Sequence, residues 1–344
     1  MIGRMRGSNG GPAAAAPPWG RRSLIAAAGL GAASLLSGCR VRLEDDAPRV
    51  PLLPTREPAP DEALLLQALT ACRALQAAAT ALGGDRTGAP ARLAVLHGRQ
   101  VAVLERVLRE ARVPAGSYAV PPPASASSEP SVAGSTGSGT ATRTPPARTP
   151  PARSRAALAT QEGLAVQPRS LTALAGASTA HLPLLSALTV QRAVAVGLLE
   201  GAVRWPSSPA APATAAAPLL PSARAAVYGF EVVAAPSPGA ARSRAVGVLA
   251  TLRARTEELE AMGGSVVPPP LGYDLPFTVT TPAAAARLAR VVLPELLLSL
   301  GSAYAAGAGD RPGLTGLLHW AAQTQSQALA WGVAPTAFPG LASR

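Results

Sequence analysis

Three histidines, His97, His181 and His319, and two cysteines, Cys39 and Cys72, are the side chains of this 344-residue chain best suited to ligate a metal, carry a proton or act as a nucleophile. His97 falls on the apolar stripe Leu93, His97, Val101, Leu104, Leu108, Ala111, spaced as one face of a helix. There an imidazole is either a ligand or a hydrogen-bonded core residue, and a lone one favours the second. His319 shares its face with Thr315 and Ser326, which implies solvation. Glu231 interrupts the apolar residues Tyr228-Gly229-Phe230 and Val232-Val233. If partly buried, its carboxylate would seek Arg224 or another arginine, and its pKa would shift accordingly. A structural ion pair or an exposed place at a bundle edge is favoured over a binding role. Cys72 sits on the stripe Leu65, Leu69, Cys72, Leu75, Ala79, Leu82, the setting of a packed core thiol rather than a reactive one. No Ser/His/Asp set, phosphate-binding loop or GxGxxG after a fitting strand is visible, and the Gly-rich GSTGSGT reads as spacer.

Cys39 has a different setting. Arg4 and Arg6, with no acidic residue nearby, precede Arg21-Arg22 and the apolar run Leu24 to Leu36, the order of an export signal. That run is well short of the ~20 residues needed to span a bilayer. Its mild hydrophobicity after paired arginines resembles a twin-arginine signal, with Gly20 and Ala26 departing from that pattern. It ends in Leu36-Ser37-Gly38-Cys39, which resembles a bacterial lipobox. The resemblance implies cleavage before Cys39, acylation of its thiol and a mature protein anchored on the extracytoplasmic face of a membrane. Each buried CH₂ contributes ~0.8 kcal/mol, so two acyl chains hold stably where one is marginal.

All 31 basic residues are arginine, and Ala, Pro and Gly abound, a composition of GC-rich coding that weakens any inference from charge to ligand. Removing residues 1–38 takes away four arginines and lowers the net charge from +12 to +8. The export signal argues against a nucleic-acid partner, so a surface near anionic lipid is the simpler use of that surplus. With Cys39 acylated, Cys72 is the one thiol left, which excludes an intramolecular disulfide and a cysteine metal site.

Stepped apolar residues and helix punctuation position these groups. A Pro-rich tether over residues 40–60 leads to a helix from an Asp61 N-cap to about Leu82, closed by Gly83-Gly84. A second helix runs from Pro90 to about Arg112. Residues 115–153, which repeat TPPAR, cannot bury enough apolar surface to fold and are predicted disordered. Helical patterning returns at 154–166 and 170–203, with Pro183 predicting a kink or break. A Pro/Ala-rich linker spans 205–218, and helices follow at 219–235, 240–262, 282–306, with Pro294 expected to bend it, and 312–331. No sustained alternation of β-branched residues appears, so the chain is predicted all-α. Eight helices in two runs of four suggest two bundles in tandem, over 61–204 and 219–341.

Ala225-Ala226-Val227-Tyr228-Gly229-Phe230, Tyr273-Asp274-Leu275-Pro276-Phe277 with Val279-Thr280 and Pro282, and Ala337-Phe338-Pro339-Gly340-Leu341 agree in order and spacing with a known family. Residues 219–341 resemble a ferritin-like domain family of unknown function found in exported proteins of GC-rich Gram-positive bacteria. Residues 61–200 more weakly resemble the helical half that often precedes it. The resemblance implies four-helix, ferritin-like bundles and raises a di-iron centre, which needs glutamates from two helices and Glu-x-x-His pairs from the other two. Ala94, Ser178 and Gly316 stand three residues before the histidines, so no such pair exists. Ala223 and Arg224 occupy the positions where the family commonly carries Glu-His. No cofactor and no metal are therefore predicted.

The resulting expectation is a membrane-anchored lipoprotein of the cell envelope, non-catalytic, that binds an envelope protein through its helical body and binds no nucleic acid. A ferritin-like metal-binding protein or oxidoreductase and a small-molecule carrier are the alternatives. Whether the protein is an enzyme stays open, with a non-catalytic role favoured. Weak binding candidates are His97, Glu231 and Arg224.

Overall fold

A computed structural model of the chain describes residues 56–85, 87–119, 154–206, 210–263, 268, 270 and 272–342. Residues 1–56 and 57–344 separate into two units, and all the helices below belong to the second. The fold is all-α: among the described residues there is no strand, and no helix is long and apolar enough to cross a membrane. Arg21, Arg22, Leu36, Ser37, Gly38 and Cys39 lie outside the described residues, as does 120–153 of the TPPAR-containing segment.

Helix α1 (Glu62–Ala81) forms because Leu65, Leu69, Cys72 and Leu75 recur on one face, and all four are buried. It stops at Gly83 and Gly84, whose φ values of 57° and 95° suit glycine. Helix α2 (Ala89–Glu110) opens with Pro90 in its first turn and packs its Leu93, Leu96, Leu104 and Leu108 face inward beside α1. Asp61 does not cap α1 as expected. Its backbone lies in the left-handed region at φ 58°, and its carboxylate accepts hydrogen bonds from the Ser178 N–H and hydroxyl.

Helix α3 (Arg155–Gly163) is capped by the Ser154 hydroxyl, which accepts from the Ala157 N–H at 3.1 Å. The stretch 170–203, expected to kink or break at Pro183, forms two helices, α4 (Pro168–Ala175) and α5 (Leu182–Leu198). Their break falls at residues 176–181. Pro183 instead sits in the first turn of α5, where its missing N–H leaves no hydrogen bond unmade. Helix α5 is apolar nearly all round and is correspondingly enclosed, packing against α2, α3, α4, α8 and α9.

Helix α6 (Ala213–Ala234) begins inside the stretch expected as linker. Alanine's helix propensity and the burial of Ala215, Ala216 and Leu219 outweigh Pro218 and Pro221, whose rings lie on the exposed side. Helix α7 (Gly239–Gly263) buries the expected Ala245, Leu249, Leu252 and Leu259. Helix α8 (Pro282–Ser302) has Thr281 as its N-cap, with the hydroxyl accepting from the Ala284 N–H at 3.2 Å, and stays helical through Pro294. It ends before a 3₁₀ turn at Tyr304–Gly307, and Asp310 caps α9 (Arg311–Ala330).

The core does not divide at the Pro/Ala-rich stretch. One buried cluster joins Leu69 and Leu104 to Val190 of α5 and to Phe230, Leu252, Leu293 and Leu317 of the last four helices. A smaller one groups Leu75, Leu93, Leu158 and Ala195 with Ala337, beyond α9. The tail reaches it by crossing α8 backbone to backbone: a Cβ on Gly301 would overlap the Gly340 carbonyl, and Gly340 itself has φ 84°. The Tyr304 hydroxyl donates to the Pro339 carbonyl at 3.3 Å and pins the crossing.

Candidate functional site

His97 lies at the centre of a buried polar network built from five elements. Its Nδ1 is 2.8 Å from Gln100 Oε1, one helical turn on, and its Nε2 is 2.7 Å from Glu162 Oε1 of α3. His97, Gln100 and Glu162 are all 0% exposed. The Gln100 amide donates to Gln191 Oε1 of α5 at 3.0 Å and to the Ala337 carbonyl at 2.9 Å. Both amide hydrogens are thus committed, and Gln100 Oε1 is left to accept from His97 and, at 3.5 Å, from the Cys72 thiol. Arg192 places Nε 3.4 Å from Glu162 Oε2 and donates through Nη2 to the Gln161 carbonyl at 2.7 Å.

This geometry sets the protonation state. Nδ1 faces an acceptor and Nε2 faces a carboxylate, so both ring nitrogens donate and His97 is an imidazolium. Burial works against the charge, but hydrogen bonds with Cys72 and Glu162, the negative charge of Glu162 and the bond to Gln100 outweigh it and raise the pKa to about 10. An imidazolium has no lone pair to offer a metal. The arrangement is therefore a closed ion pair that fixes α2, α3, α5 and the tail to one another.

The other two candidates lie elsewhere, near each other but not paired. Arg224 of α6 donates from Nε and Nη2 to Glu260 Oε1 of α7 at 3.0 and 2.8 Å. Glu231 is exposed and is paired with Arg253 at 2.7 Å rather than with Arg224. These four, with Glu257 and Tyr273, border an open depression of about 380 Å³. Tyr228 and Tyr273 stand with ring centroids 5.5 Å apart and also border a second depression of about 220 Å³ with Ser222, Ser299, Asp274 and Glu295 at its edge. Gly229 lets α6 approach α8, since a Cβ there would come within 2.9 Å of Val292.

The remaining histidines are committed too. His181 Nδ1 is 3.0 Å from Asp61 Oδ2, the oxygen that also accepts from the Ser178 hydroxyl. Ser, His and Asp thus meet, but with Asp at the centre, so no imidazole can take a proton from the serine and the set is not a nucleophilic triad. Burial works to raise the Asp61 pKa, and the hydrogen bonds from Ser178 and His181 hold it below the usual carboxylate range. His319 is not on a solvated face as expected. It is half-buried, its ring 5.1 Å from that of Trp205, and burial, with Arg255 nearby, lowers its pKa.

Sequence reasoning singled out His97 and missed Glu162, Gln100, Gln191 and Arg192. Two signals were available: Glu162 follows Leu158 and Ala159 on one helical face, and Gln191-Arg192 interrupts the most apolar helix of the chain. Neither indicates that they meet, because hydrogen-bonded members lie up to 237 residues apart.

The fold and these sites define an all-helical protein with a closed interior ion pair and an open, mixed-charge surface recess. Residues 215–343 match the family model of a domain of unknown function (DUF4439), a span that opens within the first turn of α6. No curated protein and no solved structure matches the chain. A di-iron centre does not fit the residues present. Around His97 the other groups are one carboxylate, one thiol and two amides beside an arginine, and in the matched domain Arg224 is tied to Glu260. Among the described residues no group of three or more His, Cys, Asp or Glu side chains is placed to hold a metal ion.

Proposed function

We propose that this chain is an envelope lipoprotein, acylated on Cys39 and held on the extracytoplasmic face of a membrane, whose helical body binds a protein partner without catalysing a reaction. The observation that carries the binding role is a contrast between the two sites. His97, Gln100 and Glu162 are buried and bonded to one another, whereas the recess around Tyr228 and Tyr273 is open, bordered by two aromatic rings, the ion pairs Arg224–Glu260 and Arg253–Glu231, and Glu257. Such rims favour recognition of a polar protein surface. We further read the body as two ferritin-like four-helix bundles, α1, α2, α3 and α5, then α6 to α9. The pairwise packing of α1 with α2 and α3, and of α5 with α2 and α3, supports the first. Helix α6 packed on α7 and α8, with α8 on α9, supports the second.

The anchor is tested by expressing the full chain and its Cys39→Ser variant in a GC-rich Gram-positive host, fractionating the cells and weighing the mature N-terminus. The wild type is expected in the membrane with acyl mass on Cys39, and the variant is expected to lose both. A wild-type chain recovered unacylated from the cytosol would defeat the assignment. Crosslinking in the same cells through a photoreactive residue at Glu257 should capture one envelope protein, and capture should weaken with Tyr273→Ala.

A further inference from the structure

The outward face of α2 bears a row of arginines that the sites above do not use. Arg92, Arg99 and Arg106 recur at seven-residue intervals, which drift only ~20° per step around a helix, so they share one stripe. Arg109 follows one turn later and extends the row to roughly 25 Å at 1.5 Å per residue. All four are exposed, and the buried residues Leu93, Leu96, Leu104 and Leu108 occupy the opposite side. None of the four forms an ion pair among the described residues, although Asp85 lies close enough to Arg92 to feel its charge. The adjacent Glu105 is held by Arg73 at 2.6 Å, and Glu110 stands at the end of the row.

Between the arginines the stripe is apolar. Val95, at 56% exposure the most open large hydrophobic side chain among the described residues, and Ala102 lie among them. A carboxylate-rich protein surface would leave Val95 facing charge. A bilayer offers anionic phosphates at one depth and an apolar boundary just beneath, which matches both components.

We infer that the α2 stripe Arg92, Val95, Arg99, Ala102, Arg106 and Arg109 is a docking surface for anionic phospholipid headgroups, and that it lays α2 along the membrane. The inference rests on the envelope-lipoprotein reading for its location, and its chemistry is tested apart from it. With the tether attached, the stripe turns a point anchor into a fixed orientation, α2 down.

The test uses the full chain carrying Cys39→Ser, which cannot be acylated, so an error over Cys39 leaves the result readable. Cosedimentation is measured with vesicles of phosphatidylcholine alone and of equal parts phosphatidylcholine and phosphatidylglycerol. The mixed vesicles should bind and the neutral ones should not. Changing Arg92, Arg99, Arg106 and Arg109 together to glutamine should weaken binding by on the order of a thousandfold at low salt. Changing the exposed Arg169, Arg242, Arg290 and Arg311 should leave most of it, with helical circular dichroism confirming that both variants fold. Val95→Ser should also weaken binding, which a purely electrostatic attraction would not produce, since the variant changes no charge. Equal loss in the two quadruple variants would show net charge alone at work and overturn the inference. Heparin binding as tight as vesicle binding, with the same residue dependence, would overturn the lipid assignment.

Discussion

Replacing Glu162 with glutamine removes the negative charge from the interior network and keeps its shape. In the wild type, the pKa of His97 stands at about 10 against an ordinary 6.5. At about 1.4 kcal/mol per pH unit, that separation is worth on the order of 3–5 kcal/mol of stability. Removing one member of a buried ion pair costs roughly 3–5 kcal/mol by mutational precedent, an independent route to the same size. Because the folded-state pKa is raised, the contribution is complete below pH 6.5 and is lost as pH climbs through about 10. Glu162→Gln should therefore lower the thermal midpoint by on the order of 10 °C in mildly acidic buffer. The gap to wild type should narrow as pH rises through about 10, where wild type itself loses the imidazolium. Thermal and urea unfolding followed by circular dichroism across that range measures it. A gap of the same size at both ends of the range, or one below about 1 kcal/mol throughout, refutes the buried imidazolium.

Two further expectations concern the packing that holds the sites. Phe230 is 0% exposed and meets Trp331 edge to face at 6.2 Å, so Phe230→Ala should cost about 3–5 kcal/mol in urea unfolding. Gly301→Ala pushes a methyl group into the Gly340 carbonyl and should cost about 1–3 kcal/mol while selectively speeding amide exchange in residues 337–341, the tail that feeds the Gln100 hydrogen bond.

The helices were legible because each depends on local rules: apolar residues every three or four positions, Gly83 at an end, Thr281 at a start. Where such rules competed with burial, the reading failed. Pro218 and Pro221 argued against a helix that buried Ala215, Ala216 and Leu219 impose. Asp61 looked like a cap and instead binds Ser178, 117 residues away. The break expected at Pro183 does form, slightly earlier at residues 176–181, with Pro183 in the first turn of α5.

Composition and periodicity by themselves determined that the body is helical and that His97 and Cys72 face inward, since both follow from residue type and spacing along one helix. Only the tertiary structure decided that Glu162, Gln191, Arg192 and the Ala337 carbonyl surround them, and so that His97 holds a proton rather than a metal. The physical reason is that a buried charge is stable only beside its partner, and which partner arrives depends on how α2, α3, α5 and the tail pack. That is a relation among distant segments, and no short window of residues contains it.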